Sequence, residues 1–296
     1  MIHKVLEIKK HAGAIYSGVF FEDSLITASA DRYVVAWDHK TGEQLPFVIK
    51  NDASSYIIEK LNNQFLLIGS SNGSFHIIDY HKKKELKNYQ QHRSAIFSIE
   101  INPFQNQIYL GDADGNISVW DSITFKLLLF LPLNIGKIRV IKTINNGDTI
   151  AIGAQDGYIR LFDTTNFNEL NTNFIHNGGI TSILPLENGI VLTGGKDAYL
   201  RVLDNNLKVL KAIPAHNFAI YDLQLFKQLN TIVSVSRDKS IKLWNANDLN
   251  FLGKITFKEG GHQHSVNKII PMKQNQFATV SDDKRTIIWS FEDFKV

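Results

Sequence analysis

Seven times this sequence passes through a polar turn and, six residues later, reaches a buried-type anchor. The step runs from Asp31 to Trp37, Asn72 to Ile78, Asp114 to Trp120 and Asp156 to Phe162. It continues from Asp197 to Leu203, Asp238 to Trp244 and Asp283 to Trp289. Successive turn residues lie 41, 42, 42, 41, 41 and 45 positions apart. Such a period marks a repeat architecture. One small unit cannot bury its apolar faces alone and must stack on its own copies.

The units read as strands. VVAWD, ISVWD, IRLFD, LRVLD and IKLWN alternate and are rich in β-branched and aromatic residues. A second strand precedes each turn, as in SLITASA or QFATVS, and a third lies further upstream, as in AIFSIEI at 95–101. A fourth follows the anchor, as in EQLPFVI at 43–49 or KLLLFLPL at 126–133. No window carries an amphipathic helix. The 296 residues contain no cysteine, which removes disulfide scaffolds, thiolate nucleophiles and Cys-ligated metals. A net charge of +3 is too mild and too scattered to argue for nucleic acid. MIHKVLEIKK lacks the apolar stretch of a secretory signal, and no run nears the ~18 apolar residues of a spanning helix. The expected location is the cytoplasm, or the nucleus where there is one.

A histidine recurs about 20 positions before the turn, at His11, His92, His176, His216 and His262. A hydroxyl residue stands four before the turn Asp, at Thr27, Thr193, Ser234 and Thr279. With these residues the sequence resembles the WD-repeat β-propeller family along its whole length. The resemblance implies an all-β fold: a single seven-bladed β-propeller of four-stranded antiparallel blades, covering residues 1–296. It also implies a hydrogen-bonded tetrad of His, Ser/Thr, Asp and Trp in each blade. Three units carry it complete: His11, Thr27, Asp31 and Trp37; His216, Ser234, Asp238 and Trp244; His262, Thr279, Asp283 and Trp289. In units two and four, Asp52 and Asn134 take the His position and Ile68 and Ile152 the hydroxyl position. Units three and five are partial, with Leu110 for the hydroxyl and Leu203 for the Trp. The deviating blades are expected to be held by apolar packing alone.

The seventh unit lacks a fourth strand after Trp289-Ser290, and residues 2–8, IHKVLEI, alternate at strand length. They are expected to complete the seventh blade and close the ring. Deleting residues 1–9 is expected to lower thermal stability and to promote aggregation through the exposed strand edge.

No catalytic constellation emerges, and no cofactor or metal site is expected. The recurring histidines are explained as buried polar groups that need partners. His262 and His264 form an H-x-H pair with no third ligand nearby, and GGKDAY at 194–199 lacks the spacing of a phosphate loop. The basic run at 81–87 reads as a solvated hairpin tip. The resemblance also implies partner contacts on one rim, at the residue five after the His and the residue before the turn Asp. The first set is Tyr16, Ile57, Phe97, Arg139, Thr181, Tyr221 and Asn267; the second is Ala30, Ser71, Ala113, Gln155, Lys196, Arg237 and Asp282. Lys137 joins them. Tyr16, Phe97, Lys137, Arg139, Lys196, Tyr221 and Arg237 are therefore the candidate partner-binding residues. The expected function is a non-catalytic scaffold for other proteins or peptide segments, acidic or phosphorylated ones among them, acting within a larger complex. Neither nucleic acid nor membrane is expected as a partner. The alternative is a propeller enzyme or small-ligand binder acting at the channel mouth.

Overall fold

Each repeat folds as its alternation predicts. The computed structural model describes residues 2–273 and 275–291; Met1, Gln274 and residues 292–296, which the sequence reading includes in the propeller, lie outside them. The strands form seven four-stranded antiparallel sheets. Blade 1 runs outward through Ile15–Phe21, Ser24–Ser29, Tyr33–Asp38 and Gln44–Lys50. The innermost strands of blades 2 to 6 are Ser55–Lys60, Ile96–Asn102, Ile138–Ile144, Ile180–Pro185 and Ile220–Phe226. Blade 7 consists of Val266–Pro271, Gln276–Ser281, Thr286–Phe291 and, on its outer edge, Ile2–Ile8. Among the described residues no helix is long and apolar enough to cross a membrane.

Among the described residues there is no common core. Seven hydrophobic clusters form, one at each of the seven blade interfaces. The cluster between blades 7 and 1 holds Ile8, Ile15, Leu25, Trp37, Ile270 and Ile288. The fold is a ring of such pairwise packings, with an axial channel lined by the innermost strands. Polar spokes join some of these strands: the Ser17 hydroxyl accepts from the Ile58 N–H of the next blade, and Ser98 does the same for Ile141.

The ring closes where the sequence expects it. Ile2 pairs with Phe291, Lys4 with Trp289 and Ile8 with Thr286. Arg285 fastens this strand from the side, donating to Glu7 at 3.3 Å and to Asp283 at 2.7 Å. Burial would raise the Glu7 carboxyl, yet Lys9, Lys4 and Arg285 hold it down at about 2. Across all seven turns the residue after the repeat Asp or Asn has positive φ, from 67° at Ala198 to 87° at Gly115. Gly meets that need without steric cost in blades 2, 3 and 4, while Arg32, Ala198, Lys239 and Lys284 meet it in the others.

Candidate functional site

The polar tetrads tie each blade's turn to its inner hairpin and so set the rim. In blade 1, His11 Nδ1 lies 2.8 Å from the Asp31 carboxylate and Nε2 lies 2.8 Å from the Thr27 hydroxyl. That hydroxyl accepts the Trp37 indole N–H at 2.7 Å. The same chain joins Asp238, His216, Ser234 and Trp244 at 3.0, 2.7 and 2.9 Å. It joins Asp283, His262, Thr279 and Trp289 at 3.1, 2.8 and 2.9 Å. Burial pushes the His176 and His216 imidazoles below their ordinary range. A neutral ring has one N–H for the carboxylate and one lone pair for the hydroxyl, as this chain of bonds requires.

Blade 3 corrects the sequence reading. Its tetrad is complete but rearranged: His92 meets Asp112 at 2.8 Å and Ser118 at 2.7 Å, and Ser118 accepts the Trp120 indole N–H at 2.7 Å. Leu110 and Ser118 face each other across paired strands. The hydroxyl has moved one strand outward, and the carboxylate is Asp112 instead of Asp114. Blades 2 and 4 are not held by apolar packing alone either. The residue facing Ile68 is His76, whose Nδ1 lies 2.6 Å from Glu85 on the outer strand. The residue facing Ile152 is Arg160, which donates to both Asp156 oxygens, at 3.2 and 2.5 Å. In blade 5, Arg201 reinforces the His176–Asp197 pair beside Leu203. Burial works against the Asp197 carboxylate, but His176, the Tyr199 N–H and Arg201 hold it at about 2.

The mouth of the channel is built by a bulge. Every innermost strand slips register after its first residue. The slip falls on Tyr16, Tyr56, Phe97, Arg139, Thr181, Tyr221 and Asn267. A bulge re-aims its side chain, and all seven line one cavity of about 690 Å³. Here the second unit was misread by one residue. Its innermost strand begins at Ser55, which puts Asn51 at the His position in place of Asp52, and Tyr56 at the bulge in place of Ile57, although Ile57 also lines the cavity. Asn51 is buried and bonded to Ser55. Ile57 is packed in the interface with blade 3.

All seven candidate partner-binding residues line this cavity: Tyr16, Phe97, Lys137, Arg139, Lys196, Tyr221 and Arg237. From the second set Asp282 joins them, whereas Ala30, Ser71, Ala113 and Gln155 do not. Tyr56 meets Tyr16 edge-on at 4.9 Å and stacks on Phe97 at 5.3 Å. The Arg139 guanidinium lies over the same Phe97 ring at 4.1 Å, and the Lys137 ammonium is 6.0 Å from it. Arg237 approaches the exposed Phe218 ring at 5.9 Å. Burial pushes the Lys196 ammonium down, and the charges of Arg139 and Lys137 add to the effect. The positive sector thus repels itself.

Deeper in the channel lies an ionic floor that sequence reasoning missed. Lys142 pairs with Glu100 at 2.8 Å, and Lys268 sits 3.8 Å from both Glu59 and Asp222. These groups come from blades 2, 3, 4, 6 and 7. Burial pushes the Glu59 carboxyl up against the opposing pull of Lys268 and Lys142. Burial disfavours the Lys142 charge, but Glu100, Glu59 and Asp222 together outweigh it and raise its ammonium.

Comparison with known proteins agrees with this geometry. The model of the WD domain, G-beta repeat, matches residues 83–121 and 207–245. Both stretches start near the outer strand of one blade and end just past the Trp of the next. The chain is a seven-bladed β-propeller that carries WD repeats. The two matched WD repeats contain the His92 and His216 tetrads, so the rearranged third blade is itself a recognisable repeat. WD repeat-containing protein 55 of Arabidopsis thaliana is 22% identical over 252 residues, covering 82% of this propeller and 70% of that protein. Its homologue in Dictyostelium discoideum is 22% identical over 81% of this chain and 60% of its own length. Kinesin-like protein KIF21B of Mus musculus is 25% identical over 68% of the chain, which is 12% of that protein.

Proposed function

We propose that this WD-repeat propeller is a non-catalytic interaction scaffold whose channel mouth holds an acidic segment of a partner protein. One observation carries the reading: the bulge positions of all seven blades converge on a single cavity, and five of them, Tyr16, Tyr56, Phe97, Arg139 and Tyr221, carry an aromatic ring or a guanidinium. Aromatic residues and Arg dominate interface energetics. A basic sector from blades 4 to 6 suits a carboxylate or phosphoryl group. In this reading residues 1–296 form one propeller that works in the cytoplasm within a larger complex and binds proteins in preference to nucleic acid or membrane. Similarity to WD repeat-containing protein 55, named only for its repeats, supports a scaffold and names no partner.

The test is affinity capture from host lysate followed by digestion and recovery of the retained peptides. Wild type is compared with an Arg139→Glu, Arg237→Glu, Tyr221→Ala variant of matched melting temperature. Acidic segments retained by wild type and lost by the variant are expected. Segments unaffected by the variant would refute this site. A second reading, a small-ligand binder, draws on the cavity volume, which falls within the roughly 300–1,000 Å³ of ligand pockets. Absence of any retained segment would favour it.

A further inference from the structure

Four cations line the mouth, and no carboxylate among the described residues is paired with any of them. Lys137 and Arg139 come from blade 4, Lys196 from blade 5 and Arg237 from blade 6. None of the four is in an ion pair among the described residues, although Lys142 and Lys268 just below are paired. Arg139 is the centre of the group. Its face is covered by Phe97, so only its edge is free to bond. Its Nε is closed to water and has no hydrogen-bond partner. An atom closed to water is closed to a ligand oxygen as well, so the donors that Arg139 offers to a partner are its two terminal nitrogens.

The fold does not ask for Lys137. The carbonyl at that position accepts the N–H of the residue before the turn Asp, a bond repeated in all seven blades. Ala14, Ser54, Ala95, Gly179, Ala219 and Ser265 occupy it elsewhere. A lysine there adds charge to the mouth and nothing to the blade.

Resting on the scaffold function proposed above, we infer that this cluster is a site for one phosphomonoester on the partner segment: a phosphorylated Ser, Thr or Tyr in preference to Asp or Glu. A carboxylate is planar, carries one charge and is satisfied by one guanidinium fork. Here the donors come from three blades and so approach from different directions. A tetrahedral group with three acceptor oxygens and about −1.5 to −2 charge meets them together. A nucleic acid fits less well. Its phosphodiesters carry one charge each, spread along a chain, and are matched by a basic stripe. The cations here are confined to one sector of a mouth that also holds Asp282.

The experiment uses three degenerate peptide libraries of equal composition with phosphoserine, Glu or Ser fixed at the centre. Each is captured on immobilised full-length protein as wild type, Lys137→Ala, Arg139→Lys and Arg139→Gln. Lys137→Ala places there the residue found in three other blades, so it keeps the fold intact if Arg139→Gln does not. Wild type should retain the phosphoserine library ~10-fold over the Glu library, the effect of about one additional charge-assisted hydrogen bond. Arg139→Gln should abolish the preference, and Lys137→Ala and Arg139→Lys should reduce it. Equal retention of phosphoserine and Glu overturns the phosphoryl inference and leaves the acidic-segment function standing. No retention of either above Ser overturns both. A single-stranded RNA 20-mer that displaces the phosphoserine library from wild type, and loses its own binding in Lys137→Ala, would replace the peptide with a nucleic acid.

Discussion

The rearranged tetrad of blade 3 yields the sharpest stability test. Ser118 is fully buried, stands 2.7 Å from His92 Nε2 and accepts the Trp120 indole N–H at 2.7 Å. Ser118→Ala removes one hydroxyl and leaves two buried groups without partners. Each such group costs about 1–3 kcal/mol, so the substitution should destabilise the protein by about 2–6 kcal/mol. At roughly 2 °C per kcal/mol for a chain of this size, the melting temperature should fall by about 4–12 °C. Urea unfolding followed by the fluorescence of the four tryptophans would measure it. Trp120→Phe alone should also destabilise, and the double variant should cost less than the sum, because its two substitutions break the same bond. If blade 3 lacked a working tetrad, as Leu110 suggests, Ser118→Ala would stay within about 0.5 kcal/mol of wild type. That result would refute the rearrangement.

Three further outcomes follow from the ring. Deleting residues 2–8 should cost at least ~3 kcal/mol from the lost burial of Ile8, Ile2 and Leu6, and light scattering should show association through the bared edge of Thr286–Phe291. Because the Glu7 carboxyl sits at about 2 against an ordinary 4.5, its contribution is complete above pH ~4.5 and is lost as pH falls toward ~2. Wild type should therefore be more stable than Glu7→Gln at pH 7, with the gap closing over that window in acid melting curves. Tyr56→Ala should weaken segment capture with little change in melting temperature. Ile57→Ala should cost about 2–5 kcal/mol of stability and spare capture by the folded fraction; the opposite pattern would return Ile57 to the mouth.

The parts of this structure legible in the sequence are those that repeat. The Asp-to-Trp step, the strand alternation and the Ile2–Ile8 closure are imposed on every blade by stacking, and repetition makes them visible. Where a blade solves the same problem differently, the register becomes ambiguous. Once the histidine of blade 2 is replaced by Asn51, counting slips by one, and Tyr56 gives way to Ile57. Ser118 was hidden because it lies eight residues after Leu110, adjacent only across a strand pair. The innermost strand of blade 2 opens on Ser55 where the other six open on Ile or Val, so no apolar residue marks the start of the count. No local signal marks Glu59, Glu100, Asp222 and Lys268 as neighbours, since only closure of the ring brings blades 2, 3, 6 and 7 to one axis.

Lys268 touching both Glu59 and Asp222 has a consequence for how anything can be bound. Two acids from blades on different sides of the axis are drawn to one ammonium, 3.8 Å from each. That spans the bore with ion pairs, which a polypeptide would have to break in order to pass. Threading a chain through the hub, as a bead takes a string, is therefore opposed by this floor. What it meets must arrive from one side, dip to a limited depth and leave the way it came. A protruding loop can do that without a free end, so a partner can be read in the middle of its chain.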